Sequence, residues 1–398
     1  MNNVENKEVI DPVWGAVWAM SLCAFVLIAS EFMPVSLLTP IASDLGITEG
    51  HAGQTISISG LFAVATSLFL TTIVGHIDRR TILLFFTILM GVSGVIVAFA
   101  PNSIMLMLGR ALLGICIGGF WSMSAATVMR LVPKNSVPKA LAILNGGNAL
   151  ATTIAAPLGS FLGGIIGWRG AFFCIVPIAI IAFVWQYKRL PELPARHAYG
   201  HRPKLSSVFK LLKRWQVTLG MVSIMLFFMA LFSLFTYLRP FLEVETKLDV
   251  DMVSLALLVL GVSGLIGTIL IGYIVKTKLF SLLTIIPFLM MFLVIGFILF
   301  GHITAWVFIL IALWGLLATS APVAHWTWVS KTLPNDAEAG GGLMVAVVQL
   351  AITLGSALGG LFFDIYGYEI TFVFSAVIFA IATMMSSITA FYTLKKIR

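Results

Sequence analysis

Twelve apolar runs, each about twenty residues long or longer, divide the chain from end to end. A helix needs roughly 20 apolar residues to cross the hydrocarbon core of a bilayer. The runs lie at about 14–38, 51–75, 81–100, 104–129, 137–163 and 169–187, then 216–240, 252–276, 279–300, 304–329, 337–363 and 370–394. We number these helices 1 to 12. Of the 398 residues 60% are hydrophobic and only 10% charged, with a mean hydropathy of +1.06. A soluble chain of this length could not hide that much apolar surface. The expected fold class is an all-α membrane protein with twelve transmembrane helices in two six-helix bundles, 1–187 and 216–398. Residues 188–215, the one long polar segment, join them.

The linker Lys188–Trp215 holds three prolines and eight of the Lys/Arg residues, and its "VFKLLKRW" stretch suits a short basic interfacial helix. Orientation follows from positive charge, which gathers on cytoplasmic loops. With the N-terminus inside, twenty of the 24 Lys/Arg residues fall on cytoplasmic segments; the exceptions are Arg110, Arg169, Arg239 and Lys247. Both termini are therefore expected in the cytoplasm, and the protein in a bacterial inner membrane. Only one lysine accompanies the three acids before Trp14. The run behind them is too long for a signal peptide, so it is read as a retained span. The net charge of +8 is scattered between apolar runs, which argues against nucleic acid as a partner. Cys23, Cys116 and Cys174 lie inside apolar runs with no metal or disulfide spacing and are read as small core residues.

The halves repeat. "GSFLGG" (Gly159–Gly164) closes helix 5 and "GSALGG" (Gly355–Gly360) closes helix 11, while "RLVP" and "KTLP" precede those two helices. Parallel six-plus-six repeats organise secondary transporters that rock about a midplane site. There is no phosphate-binding loop with a lysine, no HExxH and no Ser/His/Asp arrangement. An ATP-driven pump and a membrane enzyme are thus disfavoured, and no cofactor or metal is expected.

Several stretches carry a family resemblance: "EFMPVSLLTPIASDLGIT" at the end of helix 1, "GHIDRR" between helices 2 and 3, "GRALLGICIGGFWS" in helix 4, and "APLGSFLGGIIGWR" closing helix 5. In these the chain resembles the major facilitator superfamily, specifically its twelve-helix drug:proton antiporters. "GGFWSMSAATVMRLVP", "VPKALAI" and "FTYLRP" are similar to the branch of bacterial purine ribonucleoside efflux pumps. The resemblance implies a monomeric, proton-coupled exporter of small organic solutes working by alternating access, with purine ribonucleosides such as inosine or guanosine as substrates. Multidrug or sugar efflux on the same fold stays open, as does, more remotely, a membrane receptor built on a transporter fold.

The residues that could carry this chemistry are few. Glu31 is the one acid well inside a span. A charged carboxylate at a helix centre costs roughly 2.5–3.5 kcal/mol on insertion scales, and a proton relieves that cost. Such a group can take a proton on one side and release it on the other as solvation changes. Arg110 in helix 4 keeps its charge. It must meet a cavity, a carboxylate or backbone carbonyls, or else snorkel from the helix end; with Glu31 it forms the expected proton-coupling pair. The cavity wall is expected from Phe120, Trp121 and Ser124 of helix 4, Asn145 and Asn148 of helix 5, Tyr237 and Arg239 at the end of helix 7, His325 and Trp326 of helix 10, and Gln349 of helix 11. Aromatics stack on flat bases, and amides in hydrocarbon demand a partner. Family position implies gating roles for Asp78, Arg79 and Arg80, with Asp78 bonding neighbouring helix ends, and for Pro157 and Gly159 of the helix 5 motif. Taken singly, each aromatic reads equally as a packing or lipid contact, and each basic residue at a turn as a topology anchor.

Overall fold

The computed structural model describes residues 13–73, 77–194, 210–333 and 336–397. Among the described residues, nine helices are long and apolar enough to cross a bilayer. Three of them contain a single residue with non-helical backbone: Gly167 in Val137–Phe173, Lys278 in Val250–Phe300, and Gly367 in Ala337–Ile397. A straight helix of 51 residues would extend about 77 Å, against a hydrocarbon core of about 30 Å. Those residues are therefore turns between spans, and the described chain folds as the twelve helices that the apolar runs mark.

Helices 1 to 4 are Trp14–Ser36, Glu49–Ile73, Arg79–Ala98 and Ser103–Leu131. Helices 5 and 6 are 137–166 and 168–189, the latter with a local break at Cys174. Helix 7 is Trp215–Phe235, helices 8 and 9 are 250–277 and 279–300, helix 10 is Thr304–Thr332, and helices 11 and 12 are 337–366 and 368–397.

Most boundaries shift by two or three residues from the sequence reading, and at two of them the helix breaks and restarts. Helix 1 stops at Ser36 rather than 38, and a separate short helix, Leu38–Leu45, follows the break at Leu37. Helix 7 stops at Phe235, and Leu238–Val244 restarts as a short helix. Proline explains the first: Pro34 has no N–H for the helical ladder, so the last turn of helix 1 is weakened. Residues 195–209 of the linker lie outside the described residues; of the "VFKLLKRW" stretch, 210–215 are described, and there the chain makes a turn at Lys210–Arg214, with Leu211 buried, that leads into helix 7.

The two glycine repeats do matching work. In helix 5, Gly159 faces Ser36 and Gly163 faces Leu37, at the end of helix 1. In helix 11, Gly355 faces the Met229 carbonyl and Gly359 that of Ser233, in helix 7. Small residues thus let helix 5 close on helix 1, and helix 11 on helix 7. Gly167 (φ 73°) and Gly367 (φ 81°) then turn the chain in the left-handed region that glycine adopts without strain. Gly167 lies three positions after Gly164, and Gly367 seven positions after Gly360, so helix 11 is one turn longer past the repeat. That extra turn carries Asp364.

Each bundle has its own buried core. One centres on Met20, Leu83, Leu113, Ile117 and Phe120, the other on Ile224, Phe227, Met290, Ile311, Trp314 and Phe379. Large apolar side chains such as Phe85, Ile88 and Leu108, or Ile266, Ile269 and Phe292, stand exposed on the periphery, where hydrocarbon would be their solvent.

Candidate functional site

The bundles meet along helices 2 and 11 and along helices 5 and 8. Among the described residues, the hydrogen bonds that join them occupy only the half of the molecule remote from the first and last helix ends. Asp364 Oδ2 accepts from the Thr48 hydroxyl (2.6 Å) and Oδ1 from the Gly50 N–H (2.9 Å). The first N–H groups of a helix have no partner within it, so a carboxylate of one bundle caps a helix of the other. Deeper in, the Ser57 and Ser356 hydroxyls meet at 2.7 Å. Arg239 donates to the Ser36 carbonyl and the Ser160 hydroxyl of the opposite bundle, and pairs with Glu243 beside it at 2.8 Å.

Tyr237 seals this seam. Its ring lies between two glycines: a Cβ at Gly53 would stand 2.1 Å from its hydroxyl, and one at Gly360 2.4 Å. The hydroxyl donates to the Ser356 carbonyl at 2.8 Å. The sequence reading puts Tyr237 and Arg239 in the cavity wall; both are instead fully enclosed in the sealed end.

Glu31 sits just below the seam, 2% exposed. Its carboxylate accepts from Gln349 Nε2 of the second bundle, a long contact of 3.4 Å. The Gln349 Oε1 atom is buried without a hydrogen-bond partner among the described residues. Beside them Phe32 stacks on Phe232 (5.7 Å) and meets Phe235 edge-on (6.4 Å), an aromatic bridge from helix 1 to helix 7.

Arg110 does not snorkel: it is 0% exposed. It forms no ion pair with the Glu31 carboxylate. Instead it donates to the carbonyls of Ser30 (2.6 Å), Glu31 (2.9 Å) and Thr55 (3.1 Å), and to the Ser59 hydroxyl (3.2 Å). The Ser30 carbonyl is the one that Pro34, four residues on, leaves without a helical donor. Arg110 therefore pins the backbone that carries Glu31 to helix 2.

Pro157 leaves the Thr153 carbonyl free in the same way. That oxygen is the atom a Cβ at Gly261 would strike, at 2.3 Å, so the proline in helix 5 lies opposite the closest approach of helix 8. Gly159 has another part, since it packs on Ser36 within its own bundle.

The remaining expected wall residues divide. Trp121 and Asn148 are half-buried, while Asn145 and Trp326 (46% exposed) are open. Asn145 Nδ2 donates to the Leu141 carbonyl of its own helix. Phe120 and Ser124 turn into the core of the first bundle, both essentially inaccessible. His325 is buried against the rings of Phe227 (5.2 Å) and Phe228 (5.8 Å).

Asp78 caps helix 3 by accepting from the Arg80 N–H (2.7 Å), and it also accepts from the Leu193 N–H just after helix 6 (2.8 Å). The Arg79 N–H donates to the Leu193 carbonyl, and Arg80 reaches the Tyr187 carbonyl at 2.8 Å. The cluster ties the first bundle to its own exit segment, and among the described residues it makes no hydrogen bond to the second bundle. Asp364, Thr48, Gly53 and the Ser57–Ser356 pair were not foreseen. Their residue types are ordinary at helix ends, and only the packing of the halves brings them together.

The architecture has close solved counterparts. It superposes on a bacterial homolog to the human lysosomal transporter Spinster, in inward-facing and unoccupied conformation, with a TM-score of 0.80 over 96% of this chain and 98% of that one, at 15% identity. A D-xylose–proton symporter gives 0.77 over 94% and 97%, also at 15% identity. At that identity the likeness speaks for the fold alone. In sequence, the chain is 56% identical over 377 residues to the transcription regulatory protein OpdE of Pseudomonas aeruginosa, covering 95% of this chain and 94% of that one. It is 41% identical over 356 residues to the purine ribonucleoside efflux pump NepI of Salmonella paratyphi B, covering 89% of each. The purine pump is thus a relative, but OpdE is the more similar of the two. The Major Facilitator Superfamily pattern matches residues 20–341. The chain is a multi-pass membrane protein that belongs to the major facilitator superfamily, a secondary transporter and not an enzyme.

Proposed function

We propose that the chain is a proton-coupled exporter of small organic solutes, with purine ribonucleosides as its substrate class and Glu31 as the proton carrier. The observation that carries this reading is the Glu31 carboxyl. It is buried at the junction of the two bundles, its polar side-chain neighbour comes from the opposite bundle, and no cation forms an ion pair with it among the described residues. The 41% identity to a protein named as a purine ribonucleoside efflux pump supports the substrate class. The distribution of Lys and Arg supports placing the two chain ends in the cytoplasm. The seam on the far side is then the outer gate, closed here.

The cycle follows from solvation. With the outer seam closed, substrate enters from the cytoplasm between the bundles and meets the accessible ring and amide groups of Trp121, Asn145, Asn148 and Trp326. Water arriving with it solvates Glu31, which gives up its proton inward. The bundles rock, the outer seam opens, and substrate leaves. Glu31 then takes a proton from outside. Neutral again, it re-enters the dry junction at lower cost, since a buried charge is what the junction penalises. Arg110 takes no proton in this scheme. It holds the helix 1 backbone so that the carboxyl keeps its place.

The test is uptake of labelled inosine into everted membrane vesicles under an imposed proton gradient, for the unaltered chain and for Glu31→Gln. We expect driven uptake that the substitution abolishes. Driven uptake that survives the substitution removes Glu31 from the coupling step. No inosine movement discards the substrate class and directs the same assay to sugars and cationic drugs. A second reading rests on the 56% identity to a protein named as a transcription regulator: a receptor that binds a solute and moves none. Saturable binding to purified protein without flux in the vesicles would favour it.

A further inference from the structure

A groove of about 700 Å³ runs between helices 1, 5 and 6, in the half of the molecule that holds the chain ends. That volume is in the range of small-molecule sites. Its walls are Trp18, Leu22 and Phe25 of helix 1, Ala142, Gly146 and Leu150 of helix 5, and Trp185 of helix 6. Trp18, Leu150 and Trp185 are 51%, 48% and 37% exposed. The one hydroxyl on its floor, that of Ser21, is already engaged with the Ile143 carbonyl at 2.7 Å. The body of the groove is therefore almost wholly apolar, its other side-chain donors being the Trp18 and Trp185 indoles and Lys139.

This is not the inter-bundle cavity. On helix 5 the groove takes the stripe 139, 142, 146 and 150, spaced as one helical face, whereas Asn145 and Asn148 lie off it. Its far wall is the Ile175–Arg189 segment, which packs on helices 1 and 3. The groove opens sideways, where a transporter meets lipid.

Two cations stand at its mouth. Lys139 lines the groove and holds its ammonium 5.1 Å from the centre of the Trp14 ring. The Arg189 side chain lies along Gly15, one residue from that tryptophan, where a Cβ would be 3.2 Å from its Cδ. Both are exposed, and among the described residues neither forms an ion pair. Tryptophan and basic residues together mark the headgroup level of a membrane protein, and basic pockets between spans bind anionic headgroups.

We propose that this groove holds one acyl chain of an anionic phospholipid, with Lys139 and Arg189 meeting its phosphate. The site is independent of the substrate and of the coupling mechanism. Gly146 makes it testable: a Cβ there meets nothing within 4 Å, so a large side chain fills the groove without moving backbone. The neighbouring Gly147 could not serve, because its Cβ would strike the Ser21 carbonyl at 2.1 Å.

The experiment is lipid retention by the purified full chain, delipidated and titrated with phosphatidylglycerol or phosphatidylcholine of identical chains, read by native mass spectrometry. The unaltered chain retains phosphatidylglycerol in preference. Lys139→Gln and Arg189→Gln each weaken that retention roughly fivefold, the factor that one surface cation contributes. Gly146→Phe removes retention of both lipids at an unchanged melting temperature. Equal retention of the two lipids by the unaltered chain overturns the headgroup assignment. Unchanged retention in Gly146→Phe overturns the groove. Displacement of phosphatidylglycerol by millimolar inorganic phosphate alone also overturns the proposal, because it would leave the acyl chain no part in binding.

Discussion

Arg110 supplies the hydrogen bond that Pro34 cannot. The Ser30 carbonyl has lost its helical donor to the proline, and Arg110 Nη1 fills it at 2.6 Å from another helix. An unsatisfied buried carbonyl costs on the order of 1–3 kcal/mol, so each residue makes sense of the other. Arg110→Lys replaces the planar fork, whose three nitrogens each reach a different carbonyl on two helices, by one compact ammonium, and should destabilise the protein by ~2–4 kcal/mol on that scale. Pro34→Ala returns a backbone N–H to Ser30, so the double variant should recover part of the loss. A melting-temperature cycle in detergent checks this, and strictly additive losses would refute the shared bond.

The seam between the bundles should yield when its trans-bundle cap is removed. Asp364→Ala leaves the Thr48 hydroxyl and the Gly50 N–H without their acceptor. At ~2 kcal/mol for hydrogen bonds to a charged group, the open fraction rises by roughly thirtyfold. The measurement is labelling of Ser57→Cys by a membrane-impermeant thiol reagent, after the native cysteines are replaced. Unchanged labelling would mean that the Tyr237 and Arg239 contacts alone hold the seam.

Much of this arrangement was legible in the sequence, and the rest was not for definite reasons. Run length located all twelve helices because hydrocarbon leaves few alternatives. Glu31 stood out because a carboxylate in a span is costly, and Gln349 because an amide there demands a partner. Tyr237 and Arg239 are expected in a cavity wall but lie within the seam, because the partners that enclose them, Gly53 and the Ser36 carbonyl, belong to the other bundle and carry no signal of that contact in the sequence. Asp364 was invisible because its partners are 314 and 316 residues away. A short extension of helix 11, with no signal of its own, brings them together.

Gly261 should tolerate no side chain in the closed state. A Cβ there would stand 2.3 Å from the Thr153 carbonyl, which is backbone and cannot rotate aside. Gly261→Ala should therefore lower transport by at least about tenfold, the equivalent of ~1.4 kcal/mol against the closed seam. Gly272→Ala, in the same helix with nothing within 4 Å, should be silent and controls for helix propensity. Equal effects of the two would remove close approach as the cause.

A last consequence concerns pH at the short helix that follows helix 1. Asp44 accepts from the Arg169 guanidinium and from Trp168 Nε1 (3.2 Å), while Arg169 also holds the Ala100 carbonyl (2.8 Å) and lies over the Trp168 ring (4.2 Å). The Arg169 hydrogen bond holds the Asp44 carboxyl below its ordinary range. A depressed carboxyl adds stability that is fully present above its unfolded value, near 3.9. That stability is lost as pH falls through the folded one. Both side chains are more than a third exposed, so solvent screening keeps the contribution under about 1 kcal/mol. Asp44→Asn should lower the melting temperature by only a few degrees at pH 7, and the difference should close as the pH falls from about 4 towards 2. High salt should shrink it at pH 7 as well, because an exposed pair is screened within about 10 Å at 0.1 M. A loss of stability that is the same at pH 7 and pH 2.5 would show that Asp44 acts through packing and not through its charge.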